Sequence, residues 1–370
     1  MIEIKNKSNC CGCTACKNIC PKNAIVMLED EKGFKYPQID KQKCINCGLC
    51  EMVCPILKKS VPIEKMIAYA AINKDETIRM NSSSGGIFTL LAENIIQKGG
   101  AVFGVELDEN FHAKHTYIEK IEDIEKFRGS KYMQSELGDS YLKVKEFLEK
   151  DRYVLFTGTP CQVGGLKSFL KKEYKKLYTQ DIICHGVPSS KTWDKYLEYR
   201  RNVDKLKDLK SIKFRNKNNY GWNSYELSFK YEENEVFIDH NKDLFMKAFL
   251  SDIALRDSCY ECKFKNKNRK SDILVADFWG IEQVLPEMND EKGISLVIIN
   301  SQKGKKIFEE IKKSVEYKKV DTNLATKNNP SMIKSANYHK NTQEFFLNIE
   351  NLEFDELIKR YVLEKEYIKL

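Results

Sequence analysis

The alternation of apolar and polar positions divides the chain into a short, cysteine-punctuated front and a long body of strand and helix signals. Alternation predicts a strand over 66–72, and NSSSGG at 81–86 then opens a helix running to Ile96. Ile87, Leu90, Leu91 and Ile95 give that helix one apolar face, and Gly99 and Gly100 stop it. Strands over 101–107 and 115–118 precede a helix over 139–150. The strand 153–156 runs straight into Thr157-Gly158-Thr159-Pro160-Cys161, from which a helix continues to Leu170. A strand over 177–184 ends in Cys184-His185-Gly186, with a helix opening after Pro188. Strands at 212–214, 225–231 and 235–238 lead to a helix over 242–250. The strand 273–278, the apolar run 294–299, and helices near 303–313 and 353–363 complete the body. A linker is expected over 58–64, around Pro62. The fold class is α+β: a small front domain at 1–60, a mixed α/β domain at 61–315 and a helical C-terminal extension at 316–370.

The cysteines change the picture of the front domain. The pattern C-x2-C-x2-C-x3-C-P occurs twice, as Cys10, Cys13, Cys16, Cys20, Pro21 and as Cys44, Cys47, Cys50, Cys54, Pro55. This is the ligand spacing of bacterial ferredoxins with two 4Fe-4S cubanes, in which the fourth cysteine of each run serves the other cluster. One cube is therefore expected on Cys10, Cys13, Cys16 and Cys54, and the other on Cys44, Cys47, Cys50 and Cys20. The small residues Gly12, Thr14, Ala15, Asn46 and Gly48 leave room for amides to point inward at the cluster charge. Structural zinc favours paired C-x2-C knuckles and disulfides favour a secreted scaffold; neither produces three evenly spaced cysteines plus Cys-Pro, twice.

Of the 370 residues, 42% are hydrophobic and 31% charged, and no apolar run approaches the length that spans a bilayer. Glu3, Lys5 and Lys7 occupy the place of a signal-peptide core, so export is not expected. Thirteen cysteines without a secretory signal then point to metal ligation in a reducing, cytoplasmic compartment. The net charge of +8 is mild, but Lys263, Lys265, Lys267, Arg269 and Lys270 are clustered. Such a run reads as a solvated basic face, or as the dock of an acidic redox partner. Phe264 is the one aromatic residue interleaved with it, which leaves nucleic acid without stacking platforms.

Four more cysteines need an account. Cys184, at a strand end, reads alone as a small buried hydrophobe. Cys161, at a helix N-terminus, is placed to favour thiolate, and Cys259-x2-Cys262 suits zinc or a cluster. The strand, glycine turn and helix around Gly158 form the arrangement that holds anions, although no Gly-Lys-Ser/Thr follows to make a P-loop.

The ordered motifs NSSSGGIF at 81–88, RGSKY at 128–132, TGTPCQ at 157–162, CHGVPS at 184–189, and CYECKF with SDILVADFWG within 259–280 carry a resemblance. Together they resemble the family of beta subunits of the coenzyme F-420 hydrogenases and dehydrogenases, over about 82–280. The resemblance implies FAD and iron-sulfur binding, and redox chemistry on a deazaflavin or another organic substrate. Chlorophyll-precursor reductases are similar too, so the scaffold leaves the substrate open. Under this resemblance Ser83, Ser84, Gly85 and Gly86, Gly129, Ser130 and Lys131, and Thr157, Gly158 and Thr159 become the cradle of the FAD pyrophosphate. Each turn alone is equally an ordinary cap. Cys161, Cys184, Cys259 and Cys262 become a third 4Fe-4S site, with zinc as the alternative, and Cys11 is spare. His185 becomes a proton donor, with Asp277 beside Trp279 as a pocket residue in the catalytic set. The implied activity passes electrons from a low-potential donor, such as an acidic ferredoxin or another redox subunit, through the clusters to FAD. From there they reach a small-molecule acceptor: coenzyme F-420, a sugar, a sulfur compound or a quinone. The alternative is an electron-transfer subunit of a larger complex, without a substrate of its own. Neither membrane insertion nor nucleic-acid binding is expected.

Overall fold

The computed structural model describes residues 1–58 and 66–363; apart from Lys58, the expected linker lies outside the described residues. In the front domain β1 (Ile25–Glu29) pairs antiparallel with β2 (Lys35–Ile39), Met27 opposite Pro37. The two cysteine loops turn through left-handed backbone at Gly12, Thr14, Asn46 and Gly48. These are four of the positions singled out as small; glycine and asparagine take that conformation readily, whereas the β-branched Thr14 adopts it against its own preference. Ile2, Cys16 and Ile25 form a small core, with Cys20, Cys50 and Cys54 packed on it.

The body is built on β3 (Ile67–Asn73), β4 (Ala101–Leu107), β5 (Ala113–Ile118), β6 (Val154–Gly158) and β7 (Leu177–Asp181). An insertion carries β8 (Ser211–Asn216), β9 (Glu226–Lys230) and β10 (Glu235–Asp239), after which β11 (Ile273–Asp277), β12 (Ser295–Ile299) and β13 (Val315–Val320) complete the set. Eight of these make one mixed sheet in the order β13-β3-β12-β11-β7-β6-β4-β5. Its central four strands, β4, β6, β7 and β11, run parallel, and the flanking pairs are antiparallel.

Both faces of this sheet are covered, as a parallel centre requires. Val102, Leu155 and Tyr178 face the helices Ile87–Gln97 and Gln302–Ile311. Alternate residues Phe103, Val154, Phe156 and Leu177 face the helices Ser140–Glu149 and Pro160–Leu170. The front domain joins this second layer, because Cys11, Cys13, Ala15 and Val53 belong to the same buried cluster. Gly165 marks the contact. A Cβ there would stand 2.9 Å from the Cys13 Cβ and 2.7 Å from the Tyr141 hydroxyl. Glycine inside a helix costs about 0.5–1 kcal/mol relative to alanine, and here it is the residue that lets the cysteine loop approach.

The insertion packs Trp193, Tyr196, Phe214, Phe229 and Phe245 into a core that also takes Phe345 and Phe354 from the C-terminal region. That region, expected as a helical extension from residue 316, begins instead inside β13, which pairs with β3 along its length. The helices Thr322–Thr326, Thr342–Asn348 and Phe354–Tyr361 follow. The strand expected over 177–184 ends at Asp181, so the residues that follow, Cys184 among them, belong to a loop. Among the described residues no helix is long and apolar enough to cross a membrane.

Candidate functional site

The front cysteines sort into two sets around two small cavities. Cys10, Cys13, Cys16 and Cys54 line one, and Cys20, Cys44, Cys47 and Cys50 line the other. Each set takes three residues from one run and the fourth from the other. Backbone amides already point at the sulfurs: Ile2 N–H donates to Cys50 Sγ at 3.3 Å, and Ala24 N–H to Cys20 Sγ at 3.3 Å. Such donors stabilise thiolate negative charge. Burial pushes the Cys16 thiol up to about 12, so Cys16 ionises only against a compensating cationic centre. Four thiols converging on a cavity, with amide donors behind them, fit an iron-sulfur group.

Cys161, Cys184, Cys259 and Cys262 line a third cavity together with Cys11. Cys161 opens the helix Pro160–Leu170, whose N-terminus is closed by a capping box between Thr159 and Gln162. Cys184 follows β7, and Cys259 and Cys262 straddle the end of the short helix Asp257–Tyr260. The expected thiolate character of Cys161 is not found. Its hydrogen bond with Cys11, then burial, push the thiol well above its ordinary value. A helix terminus contributes about 0.3–1 kcal/mol, while burying an unpaired charge costs several kcal/mol, so burial wins. Cys184 and Cys259 are likewise pushed up by burial, Cys259 to about 12. Cys11 has a place between centres, since it lines the cavity of the Cys10 set as well.

Arg256 sits between the same two centres and is 1% exposed. Its guanidinium donates to the carbonyls of Cys10 (2.8 Å) and Lys35 (3.0 Å) and to Gln134 Oε1 (3.1 Å), and it lies 4.2 Å from the Tyr36 ring centroid. Nothing local in the sequence marks it, because its backbone partners come from the front domain.

A larger cavity of about 320 Å³ opens at the carboxyl ends of β6, β7 and β11, where ligands of α/β sheets sit. Ser83, Ser84, Gly86, Gly129, Ser130, Lys131, Thr157, Gly158, Thr159 and Asp277 all line it. Ser83 ties two of the turns together, its Oγ accepting from the Ser130 N–H (2.8 Å) and hydroxyl (2.9 Å). Gly129 adopts a φ of 87°, the left-handed backbone that glycine takes without strain. Gly85 stands behind the wall, donating to Ser295 Oγ at 3.0 Å. The Lys131 ammonium donates to the carbonyls of Lys126, Arg128 and Gly129 at 3.1–3.3 Å, and burial pushes its pKa down to about 7.

Beneath the Thr157–Thr159 turn lies a network that no motif in the sequence announces. His115 Nε2 bonds the Thr157 carbonyl at 3.0 Å and Nδ1 bonds Ser135 Oγ at 2.8 Å, so Nε2 carries the proton and Ser135 donates to Nδ1. Gln162 Nε2 donates to Ser135 Oγ (2.9 Å), and its Oε1 accepts from the Thr159 N–H (2.9 Å). Burial lowers His115 to about 4, which keeps it neutral in this role. Asp277 Oδ2 accepts from Arg215 (3.1 Å) and Oδ1 from the Trp222 indole (2.9 Å), and Trp222 stacks on Trp279 at 4.8 Å.

His185 is not brought to this cavity. Its Nε2 is paired with Asp252 Oδ1 at 2.5 Å and its ring packs on Phe249, 4.9 Å between centroids.

Three family models match in order. A 4Fe-4S dicluster domain covers 9–56, and the coenzyme F420 hydrogenase/dehydrogenase beta subunit N-term and C terminus cover 68–140 and 151–323. Among curated proteins, one subunit of the F(420)H(2) dehydrogenase of Methanosarcina mazei is 25% identical over 192 residues, 47% of this chain and 52% of that one. The coenzyme F420-dependent sulfite reductase of Methanocaldococcus jannaschii is 26% identical over 330 residues, 85% of this chain and 47% of that one. The chain thus spans about half the length of the curated relatives it matches. A chain of the F420-reducing NiFe hydrogenase complex from Methanosarcina barkeri shares the fold, with a TM-score of 0.50 and 18% identity over 74% of this chain and 93% of that chain. Both halves of the beta-subunit model lie on the eight-stranded body and the dicluster model on the front domain, so the chain belongs to the family of coenzyme F420 hydrogenase/dehydrogenase beta subunits and carries a 4Fe-4S ferredoxin-type domain at its front.

Proposed function

We propose that this chain is a flavin-dependent iron-sulfur oxidoreductase that carries electrons between a low-potential donor and a small organic acceptor. The observation that carries this reading is the continuity of its cavities. Cys11 and Ile56 line both the cavity of the Cys10 set and that of the Cys161 set. Thr159 and Gln162 line both the latter and the large cavity. The twelve cysteines of the three sets would hold three 4Fe-4S cubes, with Cys47 at the exposed end. Bound clusters supply single electrons, and a bound FAD supplies their conversion into a two-electron hydride.

The chain's own residues do the rest. The turns at Ser83–Gly86, Gly129–Lys131 and Thr157–Thr159 offer amides and hydroxyls to a pyrophosphate, and Lys131 offers it a cation. His115 and Gln162 hold the third turn in place from below. Arg215 and Trp222 orient the Asp277 carboxylate at the cavity wall, ready to accept a hydrogen bond from a ring N–H.

A second reading makes the chain a subunit that hands electrons to a separate catalytic protein. Ile45, Met52 and Leu57 are each more than half exposed on the front domain, a surface suited to a redox partner. Anaerobic purification with iron, sulfide, zinc and flavin analysis, then turnover of a reduced donor against a panel of acceptors, separates the two. The oxidoreductase reading expects about twelve irons, about one FAD and turnover without other subunits. About eight irons plus zinc would remove the third cube. Full iron without flavin or turnover would favour the electron-transfer subunit.

A further inference from the structure

The basic run at 263–270 does not form one solvated face. Lys265 turns to the His185 carbonyl at 2.7 Å, and Lys267 to Asn323 Oδ1 at 2.8 Å. Lys263, Arg269 and Lys270 instead turn into a cleft of about 220 Å³ against Pro55 and Lys58 of the front domain. Among the described residues four cations line this cleft and no acid does, and it shares no residue with the large cavity.

Arg269 is the unusual member. It is 5% exposed, yet its Nε, Nη1 and Nη2 have no hydrogen-bond partner. The acid that faces it, Asp181, places Oδ2 at 3.6 Å from Nη1, an ion pair longer than a hydrogen bond, while its Oδ1 accepts from Ser271 Oγ at 2.7 Å. A guanidinium presents five N–H donors, and leaving them unmet in a buried setting is costly. Lys270 is half-buried and its pKa is lowered, by burial first and then by Lys58 and Lys167, so cations crowd here with Asp181, behind Arg269, as the acid that faces them.

We propose that this cleft binds a phosphate-class oxyanion carried by a small molecule, with Arg269 as its buried fork and Lys58, Lys263 and Lys270 as its rim. A guanidinium fork matches two oxygens of such a group at once, and the rim ammoniums neutralise the remaining charge. The apolar side of the cleft, formed by Pro55 and Ile56, leaves the rest of the ligand a non-polar wall. Lys263 and Arg269 also line the Cys161 cavity, so the ligand would lie one layer of side chains from Cys262.

Anaerobic calorimetry on the full chain tests this, using inorganic phosphate, pyrophosphate and a short single-stranded oligonucleotide at fixed ionic strength. One saturable site is expected for phosphate or pyrophosphate, weakened about tenfold or more in Lys58→Gln/Lys270→Gln and retained in Lys131→Gln. Absence of saturable binding would overturn the proposal. So would binding lost in Lys131→Gln and kept in the double variant, since the anion would then sit in the large cavity. An oligonucleotide that binds more tightly than pyrophosphate would assign the cleft to nucleic acid and overturn the small-ligand reading. Arg269→Lys, read with its iron content, gives a second measure of the fork, and the surface pair keeps the test decisive if that variant misfolds. Iron and flavin contents of the same samples report separately on the redox reading.

Discussion

Lys131 is the residue whose proposed role makes the sharpest prediction. Its pKa is lowered from 10.5 to about 7 by burial, so between those values the unfolded chain binds a proton that the folded chain does not. Lys131 therefore lowers stability fully below about pH 7, and this penalty disappears as pH rises toward 10.5. A phosphate beside the ammonium reverses the preference, so FAD binding takes up a proton above about pH 7. Flavin titration is expected to show affinity falling as pH rises from about 7 to about 10. Lys131→Gln is expected to bind about tenfold more weakly, with a flat profile over that range. A steep profile surviving in Lys131→Gln would assign the proton elsewhere. Lys131 was legible in RGSKY because a lysine in a glycine turn has a stated chemistry. His115 and Arg256 were not, because their roles depend on partners such as Thr157 and Cys10 that only the fold brings near.

At the scale of the element, the turn from β6 into the helix Pro160–Leu170 joins two sites, with Gly158 on the large cavity and Cys161 on the thiol cavity. A Cβ at Gly158 would meet Gln162 Oε1 at 3.0 Å and His115 Nε2 at 3.4 Å, the atoms that hold the turn. Gly158→Val is expected to lower FAD content and turnover by about tenfold or more while the front clusters remain reducible. Stoichiometric FAD in that variant would remove Gly158 from the cradle. The crossing of the two cysteine loops is tested by Cys54→Ala, which is expected to alter the spectrum of the cluster on Cys10, Cys13 and Cys16. Damage confined to the Cys44, Cys47 and Cys50 centre would contradict the crossed sets. Most elements of the body were legible, since Ile87, Leu90, Leu91 and Ile95 all face the core as their spacing predicts. β13 was not, because its V-E-Y-K-K-V pattern is half charged and its place is set by pairing with β3.

At the scale of the molecule, the front domain docks on the layer of helices under the central strands, through Cys13 at Gly165 and Arg256 at Cys10. Ligand spacing made the cluster domain visible in the sequence, because a cube's ligands recur within one loop. The continuity from the front domain to the large cavity was invisible there, since it joins residues as distant as Cys11, Gln162 and Cys259. The most direct test is the rate at which flavin absorbance bleaches when a low-potential one-electron donor is added anaerobically to the wild type and to Cys259→Ser. Bound FAD is expected in both, with rapid bleaching in the wild type and bleaching slowed about a hundredfold in Cys259→Ser while the front clusters are still reduced. A wild-type protein without flavin, or a Cys259→Ser variant that bleaches as fast as the wild type, would contradict that expectation.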